Sequence, residues 1–161
     1  MQVPPLPVVL TVAGSDSGAG AGIQADLKTI SANGGYGISV LTSVTAQNTR
    51  EVTAAFPLPP ELIEQQFAAL FGDFAPAATK SGMLADRARV EVVARCLRRY
   101  RPPHYVLDPV MISKSGFPLL EDQAVEAVRT ELLPLAELVT PNVHEAQLLA
   151  EMQVRTLEDA A

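Results

Sequence analysis

Four polar side chains of this sequence are of types that recognise small ligands or phosphate groups. Gln47 carries a hydrogen-bond acceptor beside a donor, and this fork matches a ring nitrogen next to an exocyclic amine, as in adenine or an aminopyrimidine. Asp26 can accept a hydrogen bond from a ligand hydroxyl or amine. Asp108 and Glu145 can organise Mg²⁺ through water, because Mg²⁺ keeps several waters and takes phosphate oxygens.

Each of these residues also has a structural interpretation. Gln47 could hydrogen-bond within its own loop, and Asp26 lies in the first turns of a helix, where the dipole favours an acid. Asp108 could cap the turn before Pro109. Met83 could cover a flat ring, although methionine more often fills gaps in a core. Both interpretations stay open at this point.

Three other side chains with reactive groups are weaker candidates. Lys114 lies in a glycine-containing loop and could reach a phosphate, or it could be a solvated lysine. His144 is interpreted as a surface residue. Cys96, the single cysteine, falls within a helical pattern and is interpreted as a core thiol. One cysteine excludes an internal disulfide and, with two scattered histidines, predicts no zinc site.

The stretch from residue 14 to 26 is unusually rich in glycine. It follows an apolar run and leads into a helical pattern, so its backbone N–H groups would converge on a polar or anionic ligand. It lacks the Lys-Ser or Lys-Thr of a phosphate loop, and its third glycine comes too early for a dinucleotide fingerprint. A tight turn that packs a helix on a sheet is the structural alternative.

Strands and helices alternate along the chain. The hydrophobic pattern predicts strands over residues 8–14, 36–45, 52–56, 77–81, 105–108 and 138–140. It predicts helices from about residue 23 to 32, over 61–71, around 90–97, over 121–133 and from the N-cap at 142 to 149. This alternation predicts an open α/β fold with a mostly parallel sheet and helices on both faces. Ligands bind such sheets at the carboxyl ends of the strands, where the polar segments of this chain fall.

Composition limits the function classes. A length of 161 residues predicts one domain, and 48% hydrophobic with 19% charged residues predicts a folded one. The net charge of −6 disfavours nucleic acid as a partner. The chain has neither a membrane-spanning apolar run nor a signal peptide, so we expect a cytoplasmic protein without a membrane partner.

Five segments, in order, resemble motifs of the hydroxymethylpyrimidine/phosphomethylpyrimidine kinases of thiamine biosynthesis. They are residues 13–29, Thr-Ala-Gln-Asn-Thr at 45–49, Thr-Lys-Ser-Gly-Met-Leu at 79–84, Leu-Asp-Pro-Val-Met at 107–111 with Lys-Ser-Gly at 114–116, and Thr-Pro-Asn-Val-His-Glu at 140–145. The resemblance implies a ribokinase-like, three-layer α/β/α fold. It also implies transfer of the ATP γ-phosphate to 4-amino-5-hydroxymethyl-2-methylpyrimidine and then to its monophosphate.

The same resemblance implies roles for individual residues. The aminopyrimidine would be bound by Gln47 and Asp26, in a pocket lined by Gly14 and Met83. The cofactors would be ATP and Mg²⁺, and a homodimer is expected. The residues that would bind ATP are Asp108, Lys114, Asn142 and Glu145, of which Asp108 and Glu145 would also serve the metal.

One part of the family pattern is missing. Members of the family are considerably longer, and their additional part holds a second Gly-rich loop with the catalytic base. No glycine follows Gly116 in this sequence. We therefore expect residues 1–161 to be the N-terminal portion of a single ribokinase-like kinase domain, incomplete at the C-terminus and inactive alone, with the catalytic residues beyond residue 161. The alternatives are a pyridoxal-type vitamin kinase and a non-catalytic aminopyrimidine-binding module.

Overall fold

A six-stranded sheet forms the centre of the structure. The computed structural model describes residues 6–112, 119–156, 158 and 159. The strands are β1 Val8–Asp16, β2 Tyr36–Gln47, β3 Val52–Pro57, β4 Ala78–Ser81, β5 Tyr105–Leu107 and β6 Leu138–Val139. The α-helices are α1 Gly22–Ala32, α2 Pro60–Phe71, α3 Arg87–Tyr100, α4 Asp122–Ala127 and α5 Val143–Ala150. The predicted α/β class is confirmed.

The strands lie in the order β3-β2-β1-β4-β5-β6. Every neighbouring pair is parallel except β2 and β3, which are antiparallel. The chain passes from β1 to β2 on one side and later returns to β4 on the other side of β1. The direction of winding therefore reverses at β1, and a crevice is expected where the segments after β1 and β4 diverge.

Helices cover both faces of the sheet. α1 packs on β1 and β2, whereas α2 packs on α3 and α3 packs on α4. Because βαβ crossovers are right-handed, the reversal at β1 places α1 on one face and α2, α3 and α4 on the other. Side chains alternate between these faces along each strand. Accordingly, Lys80 contacts α1 while the next residue, Ser81, bonds Tyr105 on the opposite face.

The main hydrophobic core lies between the sheet and α2, α3 and α4. Leu10 and Val12 of β1 are fully buried there, against Phe67 of α2 and Val93 of α3. Aromatic rings of α2 and α3 stack beside this core, with the Phe71 and Tyr100 centroids 4.5 Å apart. β1 is buried on both faces, which explains why its sequence is a continuous apolar run rather than an alternating one.

The helix predicted over residues 121–133 differs in detail. It is α-helical only to Ala127, continues as a π-helical turn over Val128–Leu132, and closes with a 3₁₀ turn over Leu133–Leu135. Pro134 has no N–H to donate to an earlier carbonyl, so a regular α-helix cannot continue through it. The other predicted helices and strands are confirmed with shifts of one to three residues at their ends.

Two glycines with positive φ give a test of the turn that starts α1. Gly22 has φ of +58°, and a Cβ atom there would overlap the carbonyl oxygen of Gly14. Gly34 has φ of +78°, but a Cβ atom there would have no neighbour within 4 Å. We expect Gly34→Ala to cost about 1 kcal/mol of unfolding free energy, for backbone strain alone, and Gly22→Ala more than about 2 kcal/mol.

Urea unfolding followed by circular dichroism measures both losses. Gly34→Ala is the matched control, because it changes the same residue type in the same backbone region without a steric overlap. Equal losses for the two variants would contradict the proposed contact between Gly22 and the Gly14 carbonyl.

Candidate active site

A cavity of about 240 Å³ opens at the carboxyl edge of the sheet, where the winding reverses. It is bounded by the ends of β1 and β2, the first turns of α1, and the segments that follow β4 and β5. Five of the residues singled out in the sequence line it together: Gly14, Asp26, Gln47, Met83 and Asp108. The expected shared cavity of Gln47 and Asp26 is therefore present in the structure.

Lys80 links two of these side chains. Its ammonium lies 3.1 Å from Asp26 Oδ1 and 3.1 Å from Asp108 Oδ2. Asp26 also accepts a hydrogen bond of 2.6 Å from the Thr11 hydroxyl. Three separate elements, β4, α1 and the turn after β5, thus meet in one ionic network at the wall of the cavity.

Sequence reasoning did not single out Lys80. The residue was included in the strand predicted over residues 77–81 and in the motif at 79–84, but no role was given to it; in the structure it lies within β4 and faces α1. A lysine in a short, otherwise buried strand is unusual, because charged side chains are seldom buried without a partner. That signal could have identified Lys80, but it could not have named its partners.

The Gly-rich loop is closed by Asp16. This carboxylate is 5% exposed and accepts hydrogen bonds of 2.8–2.9 Å from the N–H groups of Gly18, Gly20 and Ala21. The loop amides are therefore directed at an internal anion. These three contacts support the alternative of a tight turn, and the expectation that the loop amides converge on a polar or anionic ligand stays a prediction.

Gln47 is held near the cavity by its backbone. Ser17 Oγ lies 2.7 Å from both the backbone N–H and the backbone C=O of Gln47. Thr45 Oγ1 lies 3.2 Å from Gln47 Oε1, at the long end of hydrogen bonding. Among the described residues the side-chain amide nitrogen of Gln47 has no recorded hydrogen-bond partner, so it is available to a ligand.

Met83 and Gly14 form an apolar wall of the cavity. A Cβ atom at residue 14 would lie 2.9 Å from Met83 Sδ, so the glycine leaves room for the thioether. Met83 is 8% exposed, and its carbonyl accepts a hydrogen bond from the buried Thr42 hydroxyl. This fixes the backbone of Met83 while its side chain faces the cavity.

Asn142 and Glu145 lie outside the lining of this cavity. The predicted N-cap is confirmed: Asn142 Oδ1 accepts from the Glu145 N–H, and Glu145 Oε2 accepts from the Asn142 N–H at 2.9 Å, a reciprocal capping box. Glu145 Oε1 also accepts from the Met111 N–H at 3.4 Å. Their binding roles stay predictions. Lys114 lies outside the described residues.

Cys96 and His144 are away from the cavity. Cys96 is buried in α3, and burial, assisted by Glu64, raises the pKa of its thiol to about 11. His144 is exposed in the first turn of α5. Of the described residues, none forms a cluster of three or more His, Cys, Asp or Glu side chains able to hold a metal ion. Nor does any described helix have the length and apolar character to cross a bilayer.

A family model described as phosphomethylpyrimidine kinase matches residues 16–161. The chain belongs to the phosphomethylpyrimidine kinase family. The match begins at Asp16, the last residue of β1. It includes all the later elements that border the cavity. Most of the residues that line the cavity therefore lie within the matched range.

Relatives and solved structures agree with this assignment. A hydroxymethylpyrimidine/phosphomethylpyrimidine kinase from Streptomyces coelicolor is 51% identical over 148 residues, or 92% of this chain and 55% of the relative. A phosphomethylpyrimidine kinase structure from Clostridium difficile has a TM-score of 0.90 at 45% identity, covering 96% of this chain and 67% of that one. The chain spans about half the length of the curated relatives it matches.

Pyridoxal kinases share the fold. The structure of pyridoxal kinase from Staphylococcus aureus in complex with AMP-PCP and pyridoxal has a TM-score of 0.84 at 34% identity. The match covers 97% of this chain and 56% of the pyridoxal kinase chain. The lower identity places this kinase further from the present chain than the two phosphomethylpyrimidine kinases above.

Asp16→Ala tests the closure of the Gly-rich loop. We expect a loss of about 1–3 kcal/mol in unfolding free energy, because three N–H groups lose a charged acceptor. Amide hydrogen exchange at residues 18, 20 and 21 should accelerate. Asp73→Ala, at an exposed aspartate, is the control. Unchanged exchange at the loop amides would contradict the assigned role of Asp16.

The Cys96 thiol should be inert in the folded chain. A pKa of about 11 leaves almost no thiolate at pH 8, and burial blocks access. We expect a disulfide reagent such as DTNB to react at least about tenfold more slowly with the folded chain than with the chain unfolded in urea. Equal rates would show that α3 does not bury this thiol.

Proposed function

We propose that the whole protein is an ATP-dependent kinase of thiamine biosynthesis. It phosphorylates the hydroxymethyl oxygen of 4-amino-5-hydroxymethyl-2-methylpyrimidine and then the phosphate of the monophosphate. The observation that carries this proposal is that Gln47 and Asp26 line one cavity together with Asp108. Membership of the phosphomethylpyrimidine kinase family supports the chemistry, and so do the names of the curated relatives.

The aminopyrimidine side of the cavity is formed by Gln47, Asp26, Gly14 and Met83. The Gln47 amide pairs with the edge of the ring that carries the exocyclic amine. A carboxylate offers about four acceptor sites, and Asp26 uses three of them on Lys80 and Thr11. The remaining site accepts a hydrogen bond from the hydroxyl or amine of the ligand. Met83 covers the flat face of the ring.

The phosphate side is assigned to Asp108, with Lys114, Asn142 and Glu145 as the further ATP-binding residues. Asp108 Oδ2 is bound by Lys80, and Oδ1, which has no partner among the described residues, is the oxygen proposed to bind a ligand. The described residues do not form a closed metal cage. Asp108 could hold Mg²⁺ through water, since Mg²⁺ keeps several waters and binds phosphate oxygens. Glu145, the other proposed metal residue, is 5% exposed, and both its carboxylate oxygens accept backbone N–H groups, so it would have to give up one of these bonds to serve the ion.

The chain's contribution to phosphoryl transfer is the position of the acceptor. Bound Mg²⁺ would neutralise charge on the ATP phosphates. The loose transition state of phosphoryl transfer mainly requires alignment and electrostatic stabilisation. Gln47 and Asp26 would hold the aminopyrimidine in the cavity that Asp108 also lines.

We propose that the whole protein is a cytoplasmic homodimer. The family resemblance supports the dimer, and an exposed apolar patch gives it a candidate surface. Val44 of β2 and Phe56 of β3 are cross-strand partners and are 45% and 67% exposed. Exposed apolar side chains of this size in adjacent positions are typical of interaction surfaces.

Pyridoxal is the competing substrate, because a pyridoxal kinase structure resembles this chain over 97% of its length. The deciding experiment gives the whole protein ATP, Mg²⁺ and either the aminopyrimidine or pyridoxal, and measures the phosphorylated product. We expect kcat/KM to favour the aminopyrimidine. Phosphorylation of pyridoxal alone would overturn the proposal.

Gln47→Ala tests the recognition of the ring. We expect the affinity for the aminopyrimidine to fall by about 1–3 kcal/mol, because a paired polar edge of the ligand loses its partner. Isothermal calorimetry on the whole protein measures the loss. Gln65→Ala is the matched control, since Gln65 is exposed in α2 and outside the cavity lining. An affinity equal to that of the wild type would place the ring elsewhere.

A further inference from the structure

We propose that Lys80 is a positioning residue that couples the aminopyrimidine side of the cavity to its phosphate side. Its ammonium holds Asp26 and Asp108 in a fixed relative position, so each carboxylate depends on the other through one shared cation. This inference rests on the proposed function, which assigns Asp26 to the aminopyrimidine and Asp108 to the phosphates.

The first support is the geometry. Lys80 Nζ lies 3.1 and 3.2 Å from the two oxygens of Asp26 and 3.1 Å from Asp108 Oδ2. Asp26 belongs to α1, Lys80 to β4, and Asp108 follows β5. Because a lysine ammonium is a compact point charge with three donors, it can serve two carboxylates that approach from different directions.

The second support is the space provided for the ammonium. Lys80 pairs with Thr11 across β1 and β4, and Thr11 donates to the same Asp26 carboxylate. A Cβ atom at Gly82 would lie 3.3 Å from Lys80 Nζ, which is a tight contact. The lack of a side chain at residue 82 therefore leaves room for the ammonium between its two partners.

The third support is the balance of charge. Without Lys80, Asp26 and Asp108 would be two carboxylates facing one cavity, and their repulsion would move them apart. The side chains of Lys80, Asp26 and Asp108 are 27%, 19% and 31% exposed. Ion pairs with this much water contact contribute little to folding stability. The main effect of Lys80 is therefore expected on the orientation of Asp26 and on ligand affinity.

The test is calorimetry of 4-amino-5-hydroxymethyl-2-methylpyrimidine binding to the whole protein without ATP or Mg²⁺. We compare the wild type with Lys80→Met, Asp108→Asn and the double variant. Lys80→Met should weaken binding about tenfold, because Asp26 loses its charged partner. In the presence of Lys80, Asp108→Asn should change the affinity for the aminopyrimidine about threefold. In the Lys80→Met background the same substitution should leave the affinity unchanged, because the coupling passes through Lys80.

Lys28→Met is the matched control. Lys28 is an exposed lysine of α1 that bonds only the Ala19 carbonyl among the described residues, so its loss should leave the affinity unchanged. Gly82→Ala is the second test variant. It keeps the charge of Lys80 but places a Cβ atom 3.3 Å from both the ammonium and Ala13 Cβ in the cavity lining, and we expect it to weaken binding also.

The outcomes separate the inference from the proposed function. A wild type that does not bind the aminopyrimidine would overturn the proposed function. A wild type that binds, together with additive effects of Lys80→Met and Asp108→Asn, would overturn the coupling. A melting temperature that falls in Lys80→Met while affinity at low temperature stays at the wild-type value would assign Lys80 to stability alone. If Lys80→Met does not fold, an unchanged affinity in Gly82→Ala overturns the inference.

Discussion

The reversal of winding at β1 is the constraint on which the site depends. β1 and β4 are adjacent parallel strands, yet the chain leaves them toward opposite faces of the sheet. Their following segments therefore cannot pack over each other, and a crevice stays open at the carboxyl edge. The Gly-rich loop, α1 and the segment after β4 border this crevice because they follow these two strands. A ligand site is thus a consequence of strand order.

Negative charge at this edge is compensated locally. Asp16 is held by backbone N–H groups, whereas Asp26 and Asp108 share the Lys80 ammonium. A buried carboxylate without such partners would be costly, so each one needs its own donors. The result is a cavity in which carboxylates have fixed positions and few free acceptor sites. That arrangement suits a ligand with one or two donors more than it suits a bare anion.

The fold was largely predictable, and the site only in part. Apolar runs and glycine or proline breaks located the strands and most helices, because those signals are local. The antiparallel direction of β3 follows from its short connection to β2, because parallel neighbours need a crossover of a dozen or more residues. The π-helical turn after α4 has no comparable local signal in the sequence. The two interpretations of the Gly-rich loop could not be separated from the sequence, because Asp16 as the partner of three loop amides became visible only in the folded turn.

The sequence by itself determined the family, the α/β alternation and the residue types that can bind an aminopyrimidine. Those properties reside in short segments, whose order along the chain is enough to recognise them. Only the tertiary structure decided that Lys80 bridges Asp26 and Asp108, because Lys80 and Asp26 are 54 residues apart in the chain. Ionic contacts over such separations depend on strand order and on which face a side chain takes, and no local pattern encodes either.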